Sequence, residues 1–150
     1  MKQFSPVEIL IVEDNPHDAE LTIRALKKGN QANNFFVAEN GEEALDFIFS
    51  RGRFSERDKS KGLKVIFLDL KLPKVSGLEV LKAVKENSST NMLPIVVITS
   101  SKEDTDIQEA YALGANSYVV KPVDFDSFIH AISATGLYWL TLNVPPKVNG

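Results

Sequence analysis

Five polar positions in the chain stand where apolar runs stop. Glu13 and Asp14 follow Ile9-Leu10-Ile11-Val12, and Asp69 follows Val65-Ile66-Phe67-Leu68. Thr99 ends Ile95-Val96-Val97-Ile98, and Lys121 follows Ser117-Tyr118-Val119-Val120. Carboxylates gathered in a poorly solvated place repel one another, so they take up protons or bind a cation. A hard, oxygen-seeking ion such as Mg²⁺ (or Mn²⁺) suits three carboxylates, with a lysine opposite them. A carboxylate beside such an ion, with an ammonium and a hydroxyl near it, is equipped for phosphoryl transfer. The carboxylate attacks phosphorus, the cations neutralise the equatorial oxygens, and the hydroxyl donates a hydrogen bond.

That chemistry requires the five positions to meet, and the intervening sequence supplies the means. The runs at 7–12, 65–68 and 95–99 are continuous and β-branched, as in strands buried on both faces of a parallel sheet. Phe35–Ala38 and Ser117–Val120 are shorter strands of the same kind. Between strands lie helical patterns with start signals: Asn15-Pro16, Asn40-Gly41-Glu42-Glu43, Ser76-Gly77-Leu78-Glu79 and Asp124. Gly29 and Gly114 are stop signals, Gly114 as a left-handed cap. Helical spacing turns Ala19, Ile23 and Leu26 inward, then Ala44, Leu45 and Ile48, then Leu78, Leu81 and Val84. The fourth and fifth helices present Ile107, Ala110 and Tyr111, and Phe125, Phe128, Ile129 and Ile132. The pattern is βα repeated five times with connections too long for hairpins. It predicts an α/β fold with a parallel sheet, right-handed crossovers and helices on both faces. In such folds ligands bind at the C-terminal ends of strands, where the five polar positions fall.

A length of 150 residues, 43% hydrophobic and 25% charged, fits one domain with a sizeable core. A net charge of −3 implies no general affinity for nucleic acid or anionic membranes. The absence of cysteine excludes disulfides, thiolate metal sites and cysteine nucleophiles. No apolar run approaches the ~20 residues that span a bilayer, and the N-terminus has no signal-peptide core, which predicts a cytoplasmic protein. The histidines, His17 and His130, fall on predicted helices away from the strand ends, so no phosphotransfer histidine is evident.

The series Glu13-Asp14, Asp69, Thr99 and Lys121-Pro122 resembles the receiver domain of two-component response regulators, over residues 7–132. The resemblance implies a flavodoxin-like sheet in the order 2-1-3-4-5. It implies Asp69 as phosphoacceptor, Asp14 and Asp69 as metal ligands, and Glu13 acting through water or behind the ligands. The backbone carbonyl of Lys71 would be a further metal ligand. Lys121 would pair with Asp69 and then with a phosphoryl oxygen, Lys121-Pro122 would be a cis peptide, and Thr99 and Tyr118 would form the switch pair. The output surface would be the fourth helix, fifth strand and fifth helix. The partners implied are a histidine kinase and a downstream protein or phosphotransfer protein, so the chain would be a phosphoaccepting signalling protein and not an enzyme.

Plainer readings exist for single residues. Glu13 and Asp14 could favour a helix N-terminus through its dipole, and Thr99 could make a local bond. Tyr118 could be a half-buried strand aromatic. Two other functions compete: a pseudo-receiver binding module, and a flavodoxin-like phosphate enzyme. The second wants a glycine- or hydroxyl-rich loop after the first strand, where Glu13-Asp14-Asn15-Pro16 stands.

Two segments exceed a minimal receiver. Residues 52–63 form a polar insertion read as an exposed loop. Residues 136–150 form an apolar extension beyond a core of 7–135, with Leu137, Tyr138, Trp139 and Leu140 as an interface for a partner or a second copy. The extension either covers the domain edge or makes that interface, and the second is expected. With no output domain in the 150 residues, the chain resembles single-domain regulators. Its loop and tail are similar to those of regulators paired with phytochrome-type kinases.

Overall fold

Asn15, Asn40, Ser76 and Asp124 each turn the chain from extended to helical by accepting a backbone N–H with the side chain. The distances run from 2.8 to 3.2 Å. The computed structural model describes residues 7–29, 34–58 and 62–146. Strand β1 (Ile9–Val12) leads into helix α1 (Pro16–Lys28), β2 (Phe35–Ala38) into α2 (Gly41–Ile48), and β3 (Val65–Leu68) into α3 (Gly77–Glu86). Strand β4 (Ile95–Thr99) then precedes α4 (Asp104–Ala112), and β5 (Ser117–Val120) precedes α5 (Phe125–Leu137). A short 3₁₀ turn spans Gly52–Phe54, and α5 unwinds into a π turn over Tyr138–Leu142.

The five strands are parallel in the order β2-β1-β3-β4-β5, as expected. Helices cover both faces, which explains the continuous apolar runs. Leu10, Val12, Ile66, Leu68 and Val97 pack with α2 and α3, while Ile9, Ile11, Val65, Phe67 and Ile98 pack with α1 and α5. Register decides what meets at the sheet edge. Val12 pairs with Leu68, so Glu13 and Asp69 leave the sheet at the same level, and Thr99 pairs with Val120, so Lys121 follows one residue on. Backbone bonds extend the ladder there: Asp69 N–H donates to Val12 O at 3.1 Å, and Lys121 N–H to Thr99 O at 2.8 Å.

Several predicted side-chain placements are corrected. Tyr111 and Phe125 are about half exposed, at 50% and 49%, instead of inward. α4 buries only Ala110 and stands lightly on the sheet, while Phe125 is the first residue of α5, ahead of the face that Phe128, Ile129 and Ile132 turn to the core. Ile23, Leu45, Leu78 and Ile107 are half-buried. Gly114 is the predicted left-handed cap, at φ +107°. Gly29 ends α1 without that conformation, at φ −86°.

The insertion is anchored more firmly than a solvated loop. Phe54 stands edge-on to Phe36 and Phe47, and the Arg57 guanidinium lies 4.3 Å from the Phe47 ring centre and donates to Phe47 O at 3.1 Å. Burial lowers the Arg57 pKa, with Asp58 acting against it. One phenylalanine and one arginine in a charged stretch leave no periodic signal, so sequence could not place them; residues 59–61 of the insertion lie outside the described residues.

The extension divides. Leu140 is buried and Trp139 packs against the α1–α5 core, with Leu140 O accepting from Lys64 Nζ at 3.4 Å. That part completes the domain edge, so Leu140 does not belong to an exposed interface. Leu137, Tyr138, Leu142 and Val144 face outward. Residues 147–150 lie outside the described residues. Among the described residues no helix is long and apolar enough to cross a membrane.

Candidate functional site

The Lys121 ammonium is the geometric centre of the sheet edge. Its Nζ donates to Glu13 Oε1 at 2.6 Å, Asp69 Oδ2 at 2.9 Å and Asp18 Oδ2 at 2.9 Å. The side chain is only 9% exposed, and those of Glu13 and Asp69 are 6% and 10% exposed. Burial works against the ammonium, yet its hydrogen bonds to Glu13, Asp18 and Asp69 hold its pKa above the ordinary lysine value. Asp69 is fixed from the other side by the Lys71 N–H, 3.3 Å from Oδ1, and Glu13 Oε2 accepts from Asn15 N–H at 3.2 Å.

Carboxylate oxygens of Glu13, Asp14 and Asp69 all lie within 4.8 Å of one another, Asp14 being the exposed member. Burial is the main force on Glu13, and with the nearby Asp69 charge it pushes the pKa up to about 7, against the opposing pull of Lys121. The cluster is therefore short of positive charge: one ammonium serves several carboxylates. Its donors are all hard oxygens gathered within 4.8 Å of one another, so the residues present fit Mg²⁺ or Mn²⁺. Asp14 and Asp69 would hold the ion, with Glu13 beside or behind them. The Lys71 side chain is exposed, consistent with a role for its backbone alone.

Thr99 is fully buried at the end of β4, and its Oγ1 accepts from Ser101 N–H at 3.5 Å. Tyr118 is half-buried, packs against the α2–α3 core and donates its hydroxyl to Ser101 O at 2.9 Å. Burial raises the Tyr118 pKa. Ser101 Oγ donates in turn to Asp106 Oδ2 at 2.5 Å, tying the strand end to the first turn of α4.

One expectation fails and one residue was missed. No peptide among the described residues is cis, so Lys121–Pro122 is trans. A trans bond is the lower-energy form for X–Pro by about 0.5–1 kcal/mol, and the Lys121 ammonium holds its three partners with the following peptide in that form. The missed residue is Asp18. The available signal was its place one turn after Asp14 on α1, but its partner lies 103 residues away and only the fold joins them.

A sequence model of the response regulator receiver domain matches residues 9–133. The probable methanogenesis regulatory protein FilR2 of Methanothrix harundinacea is 35% identical over 94% of this chain and 88% of its own length. Response regulator Rcp1 of Synechocystis is 30% identical over 93% of this chain and 94% of its own. The Mn²⁺-bound crystal structure of Rcp1 superposes with a TM-score of 0.86, covering 94% of this chain and 99% of that one, at 30% identity. The phosphorylated cyanobacterial phytochrome response regulator RcpA gives a TM-score of 0.87 over 95% and 99%, at 27% identity.

Proposed function

The chain belongs to the response regulator receiver domain family, and from that premise we propose that it accepts a phosphoryl group on Asp69 from a histidine kinase. The observation that carries this reading is the Asp69 carboxylate held 2.9 Å from the Lys121 ammonium inside an acidic cluster. In the step, an Asp69 oxygen attacks phosphorus of a phosphohistidine; the P–O bond forms as the P–N bond breaks, and the imidazole nitrogen leaves with the electron pair and is protonated. Asp69 is oriented for attack by the Lys71 N–H, while Lys121 neutralises charge on the transferred group. Bound Mg²⁺ (or Mn²⁺) would supply further neutralisation of the phosphoryl oxygens. No side chain needs to act as a general base, because a carboxylate attacks with an oxygen lone pair and has no proton to give up in the step.

An acyl phosphate adds about −1.5 to −2 charge and new acceptor oxygens next to Lys121 and the end of β4. Thr99 moving its hydroxyl toward the phosphate would loosen the Ser101 backbone on which Tyr118 hangs, and so bias a pre-existing equilibrium. The readout surface would include Tyr111, Val120, Val123 and Phe125, large apolar side chains left exposed on α4, β5, the loop after β5 and α5. The resemblance to Rcp1 and RcpA supports a phytochrome-type kinase as the phosphodonor, in the cytoplasm. A downstream protein or a phosphotransfer protein would receive the signal. The exposed Leu137, Tyr138 and Leu142 would pair two copies; a Tyr138→Ser/Leu142→Ser chain that sediments as the wild type does would exclude this.

The central test is incubation with acetyl phosphate and Mg²⁺, followed by intact-mass measurement. The expected result is one added phosphoryl group on the wild type, none on Asp69→Asn, and none when the ion is chelated. An unmodified wild type, or equal modification of both chains, overturns the assignment of Asp69.

A further inference from the structure

Three carboxylates share the Lys121 ammonium, but only two of them also belong to the group suited to a metal ion. Glu13 and Asp69 converge with Asp14, whereas Asp18 does not. An ion drawn to Glu13, Asp14 and Asp69 therefore competes with Lys121 for two of its three partners. Asp18 is the partner it leaves alone.

Asp18 is well placed to keep that ammonium. It sits in the first turn of α1, where the helix dipole favours a negative charge. Its backbone is fixed at both ends: its N–H donates to Asn15 Oδ1 at 3.1 Å, and its carbonyl accepts from Thr22 Oγ1 at 2.9 Å. The carboxylate is 26% exposed, so it remains more solvated than Glu13 or Asp69, and it faces Lys121 at 2.9 Å. Other charged groups bonded to the ammonium are Glu13 and Asp69, and Asp14 stands beside them.

We propose that Asp18 is a positioning residue: it retains Lys121 when a divalent ion takes Asp14 and Asp69 and draws on Glu13 directly or through water, so that the ammonium neither blocks the ion nor leaves the phosphoacceptor. Without Asp18, Lys121 has only the two carboxylates that the ion also needs, and ion and ammonium exclude one another. This inference rests on the metal-assisted phosphoacceptor reading given above. It adds a carboxylate whose effect on the metal passes through a lysine.

The test is a double-mutant cycle on metal affinity, by calorimetric titration of Mg²⁺ into the full chain as wild type, Asp18→Asn, Lys121→Gln and the double variant. Asp18→Asn is expected to bind Mg²⁺ about fivefold more weakly, the upper range for a partly exposed ion pair. Lys121→Gln is expected to bind it more tightly, the competitor being gone. In the Lys121→Gln background, at an ionic strength of about 0.15 M, the Asp18→Asn change should cost at most about twofold, because its charge then acts on the divalent ion only through screened water. Equal losses in both backgrounds, no loss in either, or tighter binding by Asp18→Asn would each overturn the proposal. Nitrogen-15 NMR of the wild type keeps the idea testable should a variant misfold. At Mg²⁺ saturation the Lys121 ammonium signal should stay protected from solvent exchange, and its collapse into fast exchange refutes the hand-over. A wild type that binds no Mg²⁺ sinks the metal reading itself, whereas normal metal binding and phosphorylation without coupling sink only the role of Asp18.

Discussion

Gly77 offers the most direct link between packing and the proposed chemistry. It opens α3, and its N–H donates to Leu70 O at 2.8 Å, which draws the helix start against the loop leaving Asp69. A Cβ added at Gly77 would lie 2.1 Å from Asp69 O and 2.5 Å from Leu70 Cα. Both neighbours are backbone, and ordinary contact begins near 3.4 Å. Loop and helix must therefore separate by more than about 1 Å in Gly77→Ala, in a place where overpacking costs roughly 1–3 kcal/mol, occasionally more. For a chain of this size about 2–4 °C of Tm accompanies each kcal/mol, so a fall of roughly 2–12 °C is expected. The same displacement moves the Asp69 carboxylate against Lys121, and a shift of that size in a reacting geometry slows a reaction by about 100-fold. Thermal unfolding and the initial rate of acetyl-phosphate labelling, measured on the same preparation, provide the assay. Gly52→Ala serves as the contrast: its φ of +57° predicts about 1–2 kcal/mol of strain, its Cβ meets nothing closer than 3.7 Å, and labelling should be unchanged. A Gly77→Ala protein with a Tm within 2 °C of wild type and an unchanged labelling rate would refute the reasoning.

The remaining predictions concern pH and packing. Because the folded pKa of Glu13 is raised from 4.5 to about 7, its contribution to stability is complete below 4.5 and is lost as pH rises through 7. In chelator, urea unfolding should therefore show about 2–3 kcal/mol less stability from this group at pH 8 than at pH 5, while Lys121, raised above 10.5, adds no slope in that window. Excess Mg²⁺ should oppose this trend, since the ion needs Glu13 ionised; a flat profile in chelator would count against the cluster electrostatics. Asn116→Ala should cost about 1–3 kcal/mol, because Asn116 Oδ1 accepts the Ile95 N–H at 2.8 Å and that donor is left unpaired, and denaturant midpoints would reveal a neutral outcome. Leu140→Ala should cost about 2–5 kcal/mol whereas Leu142→Ala stays within about 0.5 kcal/mol; equal effects in calorimetry would mean the π turn does not seat as described.

The parts of this molecule that sequence revealed are those in which each residue carries its own signal. Asn15-Pro16 announces a helix start in any context, and four apolar residues followed by Asp69 announce a buried strand that ends on a carboxylate. Because strand ends are also where parallel sheets bind ligands, knowing the elements was nearly enough to gather Glu13, Asp14, Asp69, Thr99 and Lys121. Asp18 and the insertion were hidden for the opposite reason. An aspartate in the first turn of a helix already has a sufficient local explanation in the dipole, and nothing local says that it also holds an ammonium from beyond β5. Phe54 and Arg57 pack through shape against Phe36 and Phe47, with no period to betray them.

The extension, by contrast, continues a pattern already present in α5. The four-residue spacing of Phe128, Ile132 and Gly136 on its buried face runs on to Leu140 and leaves Leu142 outside, even though the last turn widens. Leu137 and Tyr138 are exposed while Trp139 and Leu140 anchor the segment, so its outer apolar face rides on a fixed base. A surface held that way keeps its shape before any partner arrives, which lowers the ordering cost of binding.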